Sequence, residues 1–324
     1  MRNARVLSVG LHNPRLDVDR AEKGLDNILR LLDVGAAYDP DFVCFPEVCL
    51  QHAARQDGLA EELAQPIPGP ATAAVAEKAR ALDSYVVLPM YERDGEELYN
   101  AAALIDPDGD VRGTYRKVAP TGGEIDGGLT PGTEIPVWDT EFGRVGMFIC
   151  WDVKYPVVGS ELARKGADLV LHPTHGSGHQ RCKTWSQYHG YHVVFCDKHG
   201  AEVFEPTGNV VGGNWNEWNL PAVDDMDLHG GSARFSFAEV NLDTNVYPPR
   251  PVLKDVMDAY RGDLVMHERH EEGLVVLESV SGDVSLADVE REFDAPVTVV
   301  RAAAAADDVA RNAEPGRPAI DIEE

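Results

Sequence analysis

Three stretches of this 324-residue chain place a reactive side chain at the end of an apolar run: residues 41–50 (DFVCFPEVCL), 113–124 (GTYRKVAPTGGE) and 143–156 (GRVGMFICWDVKYP). They carry Glu47, Lys117 and Cys150. A carboxylate, an ammonium and a thiol are a base, a cation and a nucleophile, the groups that activate covalent attack and hold the oxyanion it creates. Cys150 follows an apolar strand and precedes a polar turn that runs into a helix, so its sulfur is expected at a strand-to-helix corner. Unpaired backbone N–H groups and the helix dipole favour a thiolate there. The peptide N–H of Trp151 is a natural oxyanion donor. A cysteine after a strand is more often core packing, yet Asp152 and the Tyr155-Pro156 step are poor packing material.

Lys117 ends a strand beside TGGEIDGG, whose glycines let the backbone fold over a pocket. A buried ammonium needs carboxylate partners, and Glu47 and Glu124 are the candidates. Glu47 comes directly after a hydrophobic strand and Pro46, a place where an acid is costly unless it faces a cleft. The plain alternatives are a lysine pointing into water and an exposed loop acid.

Alternating strands and helices must position these groups. Strands are expected over residues 5–11, 41–45 and 84–89, the second stopped by Pro46. An amphipathic helix over 21–32 puts Leu25, Ile28, Leu29 and Leu32 on one stripe, and Pro70 opens another through Leu82. Strands over 98–105 and 111–115 flank the hairpin signal Asp108-Gly109. Strands over 144–149 and 168–171 surround a helix over 156–165 that Gly166 ends in a left-handed cap. Two more strands fall at 193–196 and 234–240. Many strands with few helices point to two sheets with helices outside.

The composition excludes several function classes. The formal charge of -26, from 55 acidic against 29 basic residues, repels nucleic acid and anionic membranes, so neither is expected as a partner. It reads as a solubility adaptation to a high-salt cytoplasm, where screening suppresses self-repulsion. Residues 1–10 run straight into a strand pattern with no export signal, and no apolar stretch approaches the ~20 residues that cross a bilayer. Five cysteines without a CxxC pair read as reduced thiols of a cytoplasmic protein, with Cys44 and Cys49 buried and inert.

The chain resembles the nitrilase superfamily of carbon-nitrogen hydrolases, amidase-like branch. The motifs that carry the resemblance are FPE at 45–47, YRK at 115–117 with Glu124 after it, LTPGTE at 129–134, and ICWD with YP and LARKGADLVLHP following. Their order matches, and the resemblance covers residues 5–240. It implies an α+β fold, a four-layer α-β-β-α sandwich of two mixed sheets with helices outside, dimeric or larger, with no metal and no organic cofactor. By resemblance Cys150 is the nucleophile, Glu47 the general base, Lys117 the oxyanion stabiliser and Glu124 the auxiliary glutamate. Trp151, Asp152, Tyr155 and His175 become oxyanion or substrate-binding candidates. The expected activity is hydrolysis of a small amide or carbamoyl substrate through a cysteine thioester, releasing ammonia or an amine. Nitrile hydrolysis is the alternative, less favoured because nitrilases commonly show glutamate where Asp152 stands; a silent binding protein of the same fold is the other.

Departures from the family pattern are Val157 in place of a glutamate after YP, KTWSQYHGYHVV in place of an arginine-alanine-x-glutamate-asparagine run, and GGNWNEWNLP where a plain hairpin is expected. His172, His175 and His179 share HPTHGSGH, whose spacing fits no familiar zinc signature, so a pocket-lining or solvated loop is expected. The hydrolase domain is expected over residues 1–265. Residues 266–324 form a C-terminal extension with a short strand, a helix start at Ser285 and a weakly ordered acidic tail.

Overall fold

The computed structural model describes residues 2–12, 20–51, 60–176, 178–198, 200–213, 228–229, 232–269 and 273–293. Twelve strands make two six-stranded sheets among these residues. The first has the order β12-β1-β2-β3-β4-β5, where β1 is Asn3–His12, β2 Phe42–Cys44, β3 Tyr85–Asp94, β4 Glu97–Ile105, β5 Val111–Arg116 and β12 Ser232–Asn241. The second runs β11-β10-β9-β8-β7-β6, with β6 Val137–Asp139, β7 Arg144–Met147, β8 Leu169–Thr174, β9 His192–Asp197, β10 Gly200–Phe204 and β11 Val210–Gly213. In each sheet three neighbouring strands are parallel (β1, β2, β3 and β7, β8, β9) and the flanking ones antiparallel. Both sheets are mixed, and they repeat one pattern.

Period-two alternation sorts the strand residues between layers. On β1, Ala4 and Val6 join the inter-sheet core with Phe42, Cys44, Val87 and Tyr115, while Leu7, Val9 and Leu11 join an outer core. That outer core is closed by Ile28, Leu31 and Leu32 of helix α1 (Arg20–Gly35) and by Ala71, Val75 and Ala79 of α3 (Pro70–Leu82). A single turn, α2 (Ala60–Leu63), precedes α3, and α4 (Gly122–Asp126) follows β5. On the far side α5 (Pro156–Arg164) and α6 (His179–His189) cover the second sheet through Val158, Leu162, Cys182 and Trp185. The layers are therefore α-β-β-α, as expected. Pro70 stands at the first position of α3 and Asp83 closes it in the left-handed region, so its ends match the reading from sequence.

One expectation is corrected. The histidine segment is not one loop: His172 lies on β8 and His179 opens α6. Residues 200–213 form the hairpin β10-β11, which composition did not reveal; the GGNWNEWNLP stretch lies largely outside the described residues. Beyond Asn241 a third sheet, β13-β15-β14 (Thr244–Tyr247, Leu274–Ser279, Leu264–Arg269), packs with α7 (Val252–Ala259) and α8 (Leu286–Phe293). Its core is Tyr247, Leu253, Val256, Leu264, Leu277 and Val289. Ser285 caps α8 by accepting from the N–H of Asp288 at 3.1 Å, the helix start read from the sequence. The expected division at 265/266 falls inside β14, and the acidic tail from 294 onward lies outside the described residues. No helix among the described residues is long and apolar enough to cross a membrane.

Candidate active site

Glu47, Lys117 and Cys150 each follow the carboxyl end of a strand. β1, β2 and β3 run one way, and β5, two antiparallel steps from β3, shares their direction. Clefts outside the carboxyl ends of parallel strands are where α/β sheets gather ligands. After β2, Pro46 ends the ladder because it has no N–H. Val48 then turns the chain at φ +50°, an unusual conformation for a β-branched residue that its complete burial holds in place. Glu47 sits at that corner, itself fully buried. Tight packing fixes the turn from behind: a Cβ at Gly24 of α1 would lie 2.1 Å from the carbonyl oxygen of Leu50, so only glycine allows α1 this close.

The charges converge. Lys117 Nζ donates to Glu47 Oε1 at 2.8 Å and to Glu124 at 3.0 Å (Oε1) and 2.9 Å (Oε2), all inside the protein. Glu124 occupies the third position of α4, where Thr121 accepts from its N–H and its own Oε2 accepts from the Thr121 N–H at 2.7 Å. This capping box locks the carboxylate that meets the lysine. Burial alone would push Glu124 up, but the Lys117 ammonium and the Thr121 N–H hold it below the usual carboxylate range. Burial likewise works against the charge on Lys117, and the nearby Glu47, Cys150 and Glu124 outweigh it, so the ammonium is held above its usual range.

Cys150 opens the 3-10 turn Cys150–Lys154 at φ +45°, between β7 and α5. Of the five cysteines it alone is not buried. Burial pushes its thiol up to about 11, and Glu47 adds to this, while Lys117, the His175 N–H and the Thr174 hydroxyl pull the other way. The sulfur therefore holds its proton more tightly than a free thiol does, and Glu47 is the acid that contributes most to this after burial. The loop after β8 comes close to it: a Cβ on Gly176 would lie 3.7 Å from Sγ.

The four catalytic candidates are gathered, whereas the binding candidates divide. His175 is placed against Cys150 through its N–H. Trp151 and Tyr155 are 42% and 46% exposed, and Lys154 Nζ stands 5.0 Å from the centroid of a Trp151 ring. Asp152 has a different part. It is fully buried, accepting from Tyr115 Oη at 2.6 Å and Ile149 N–H at 2.8 Å on Oδ2 and from Ala119 N–H at 2.8 Å on Oδ1. It clamps the cysteine turn to the segment around Lys117 instead of facing a substrate. Burial raises it to about 6 despite those bonds. His172 is fully buried, stacked on Phe148 with 4.0 Å between centroids and bonded through Nδ1 to the Phe148 carbonyl at 3.0 Å; burial lowers it to about 3. Among the described residues no three His, Cys, Asp or Glu side chains are grouped to hold a metal ion.

Thr174 and Asn100 are site residues that sequence reasoning passed over. Asn100 left a signal, as a lone amide in the apolar run LYNAAALI of β4.

A family model for carbon-nitrogen hydrolases matches residues 8–195. The chain belongs to the carbon-nitrogen hydrolase family. The chain is 32% identical over 172 residues to a bifunctional nitrilase/nitrile hydratase of Oryza sativa subsp. japonica, covering 46% of this chain and 48% of the relative. It is 41% identical over 100 residues to a citrullinase of Francisella tularensis, covering 28% and 33%. The chain thus spans about half, or less, of these relatives' length. Its fold is that of a variant amidase from Nesterenkonia sp. AN1 carrying acrylamide added at the active-site cysteine (TM-score 0.60, 18% identity, 73% and 93% of the two chains). Saccharomyces cerevisiae Nit3, of the nitrilase superfamily, is similar to the same degree (TM-score 0.60, 19% identity, 81% and 95%).

Proposed function

We propose that this carbon-nitrogen hydrolase cleaves a small linear amide or carbamoyl substrate through a thioester on Cys150. The observation that carries the reading is the buried Glu47–Lys117–Glu124 cluster within electrostatic reach of the one cysteine that is not buried. A thiol held near 11 needs a base as it attacks. Glu47 takes the proton while Sγ bonds to the carbonyl carbon. Lys117 and the Trp151 N–H stabilise the oxyanion. The C–N bond breaks and the proton passes from Glu47 to the departing nitrogen. Water, deprotonated by Glu47, then adds to the thioester; the C–S bond breaks, the acid leaves and the thiol regains its proton. Glu124 keeps Lys117 oriented.

Every residue given a role lies within 1–265, and the extension over 266–324 is assigned no chemistry. No cofactor enters these steps. Exposed Trp151, Tyr155, Val157 and Tyr188, carried by the cysteine turn, α5 and α6, support a homodimer through this face; light scattering should give about twice the monomer mass. A cytoplasmic, salt-rich setting is part of the same reading.

Nitrile hydrolysis is the second reading, favoured by the similarity to nitrilase/nitrile hydratase. A panel of amides, ureido acids and nitriles, scored by ammonia release in molar potassium chloride, separates the two. Release from amides or ureido acids that disappears in Cys150→Ala is expected. Release from nitriles alone selects the second reading, and turnover surviving in Cys150→Ala overturns both. Uniformly slow iodoacetamide labelling of all cysteines, with no turnover, would mark a silent binding protein.

A further inference from the structure

Asn100 touches three members of the charged cluster at once. It is buried on β4. Its Nδ2 donates to Glu47 Oε1 at 2.8 Å and to Glu124 Oε1 at 2.7 Å, one N–H to each carboxylate. Its backbone carbonyl accepts from the Lys117 N–H at 2.8 Å. The amide oxygen Oδ1 is buried with no hydrogen-bond partner among the described residues. The opposite rotamer would turn that oxygen onto two carboxylate oxygens, so the amide faces one way only. Leaving a buried acceptor unmade is unfavourable, and here the two charge-assisted bonds on the donor side offset it.

Like charges sharing a buried site favour taking up a proton. Two carboxylates bonded to one nitrogen are such a pair, and Lys117 supplies a single positive charge between them. Either acid, once protonated, would stop serving: Glu47 would no longer accept the thiol proton and Glu124 would no longer anchor the ammonium. A neutral double donor stabilises both anions without adding a charge that competes with the oxyanion for Lys117.

We infer that Asn100 is a positioning residue of the hydrolase: its amide bridges Glu47 and Glu124, keeping both ionised and at a fixed separation so that Glu47 stays available as base to Cys150. The inference rests on the hydrolase reading of the site. Its test therefore has one readout that needs no substrate. The pH dependence of iodoacetamide alkylation at Cys150, located by mass spectrometry, is followed in the parent, in Asn100→Leu, which fills similar volume without a donor, and in Asn100→Ser, which offers a single donor. The acid limb should move to higher pH in the order parent, Ser, Leu, by about one unit in Leu, so that on that limb the rate falls roughly tenfold. With a substrate in hand, kcat should fall on the same limb while KM stays within about threefold. Superimposable profiles would overturn the inference, as would a loss equal at every pH, which a merely structural role produces. If Asn100→Leu does not fold, Asn100→Ser carries the same comparison. A parent that turns over nothing, with shifted alkylation profiles, removes the hydrolase reading and leaves the electrostatic role; turnover in the parent with unmoved profiles removes Asn100 alone.

Discussion

At the residue scale, charge and sulfur contribute differently to stability and to chemistry. Lys117 bonds two buried carboxylates, so Lys117→Met takes the ammonium away from both. Breaking a buried ion pair from one side costs about 3–5 kcal/mol, and a clear drop in melting temperature should accompany complete loss of ammonia release. Cys150 is partly exposed and anchors no such network. Cys150→Ala should abolish turnover while its melting curve stays within a few degrees of the parent. A Cys150→Ala protein that melts as early as Lys117→Met would show that the thiol is a packing residue.

Elements set the distances these residues need. Asp152 joins the cysteine turn to the end of β5 by accepting from Tyr115 and Ala119, and its bond from the Ile149 N–H closes the turn itself. Asp152→Ala leaves those donors without a partner, at about 1–3 kcal/mol each. It should lower the melting temperature and reduce kcat even though the side chain touches no substrate. Gly24→Ala tests the opposite end of the site. Its methyl meets the Leu50 carbonyl, which is backbone and cannot rotate away. Overpacking of this kind costs about 1–3 kcal/mol, and displacement of the turn after Glu47 should weaken Cys150 alkylation as well as the fold. On α6, His189 is pushed down to about 4 by burial, against 6.5 for a free imidazole. Between those values the unfolded chain binds a proton that the folded one refuses, so stability is present above about 6.5 and lost as pH falls. His189→Phe should flatten the decline of melting temperature below neutral pH, measured against the parent to cancel the surface carboxylates.

At the scale of the whole molecule the net charge of -26 dominates. Self-repulsion of this size opposes the compact state and is screened within ~10 Å at 0.1 M salt and ~3 Å at 1 M. We therefore expect the melting temperature to climb steeply as potassium chloride is raised to molar concentration; the same melting temperature in salt-free buffer would refute the high-salt reading. The third sheet is attached to the sandwich by polar contacts, with Asp243 accepting from Leu286 N–H at 3.0 Å and Arg2 Nη2 3.7 Å from Asp243 Oδ1. Screening bears on that seam too.

Strand ends, proline stops and the change from apolar to polar residues are local, and by themselves they determined where Glu47, Lys117 and Cys150 stand and that two sheets carry them. The helix His179–His189 escaped because its buried stripe is Cys182, Trp185, Ser186 and His189: helical spacing without helical hydropathy. Other facts belonged to the tertiary structure alone. Asp152 faces inward because Tyr115 and Ala119 arrive from another sheet, and Asn100 joins two acids whose places in the chain are far from its own. Sequence sets which groups a strand end presents, but hydrogen bonds between distant segments exist only once the sheets have packed and excluded water from the space between them.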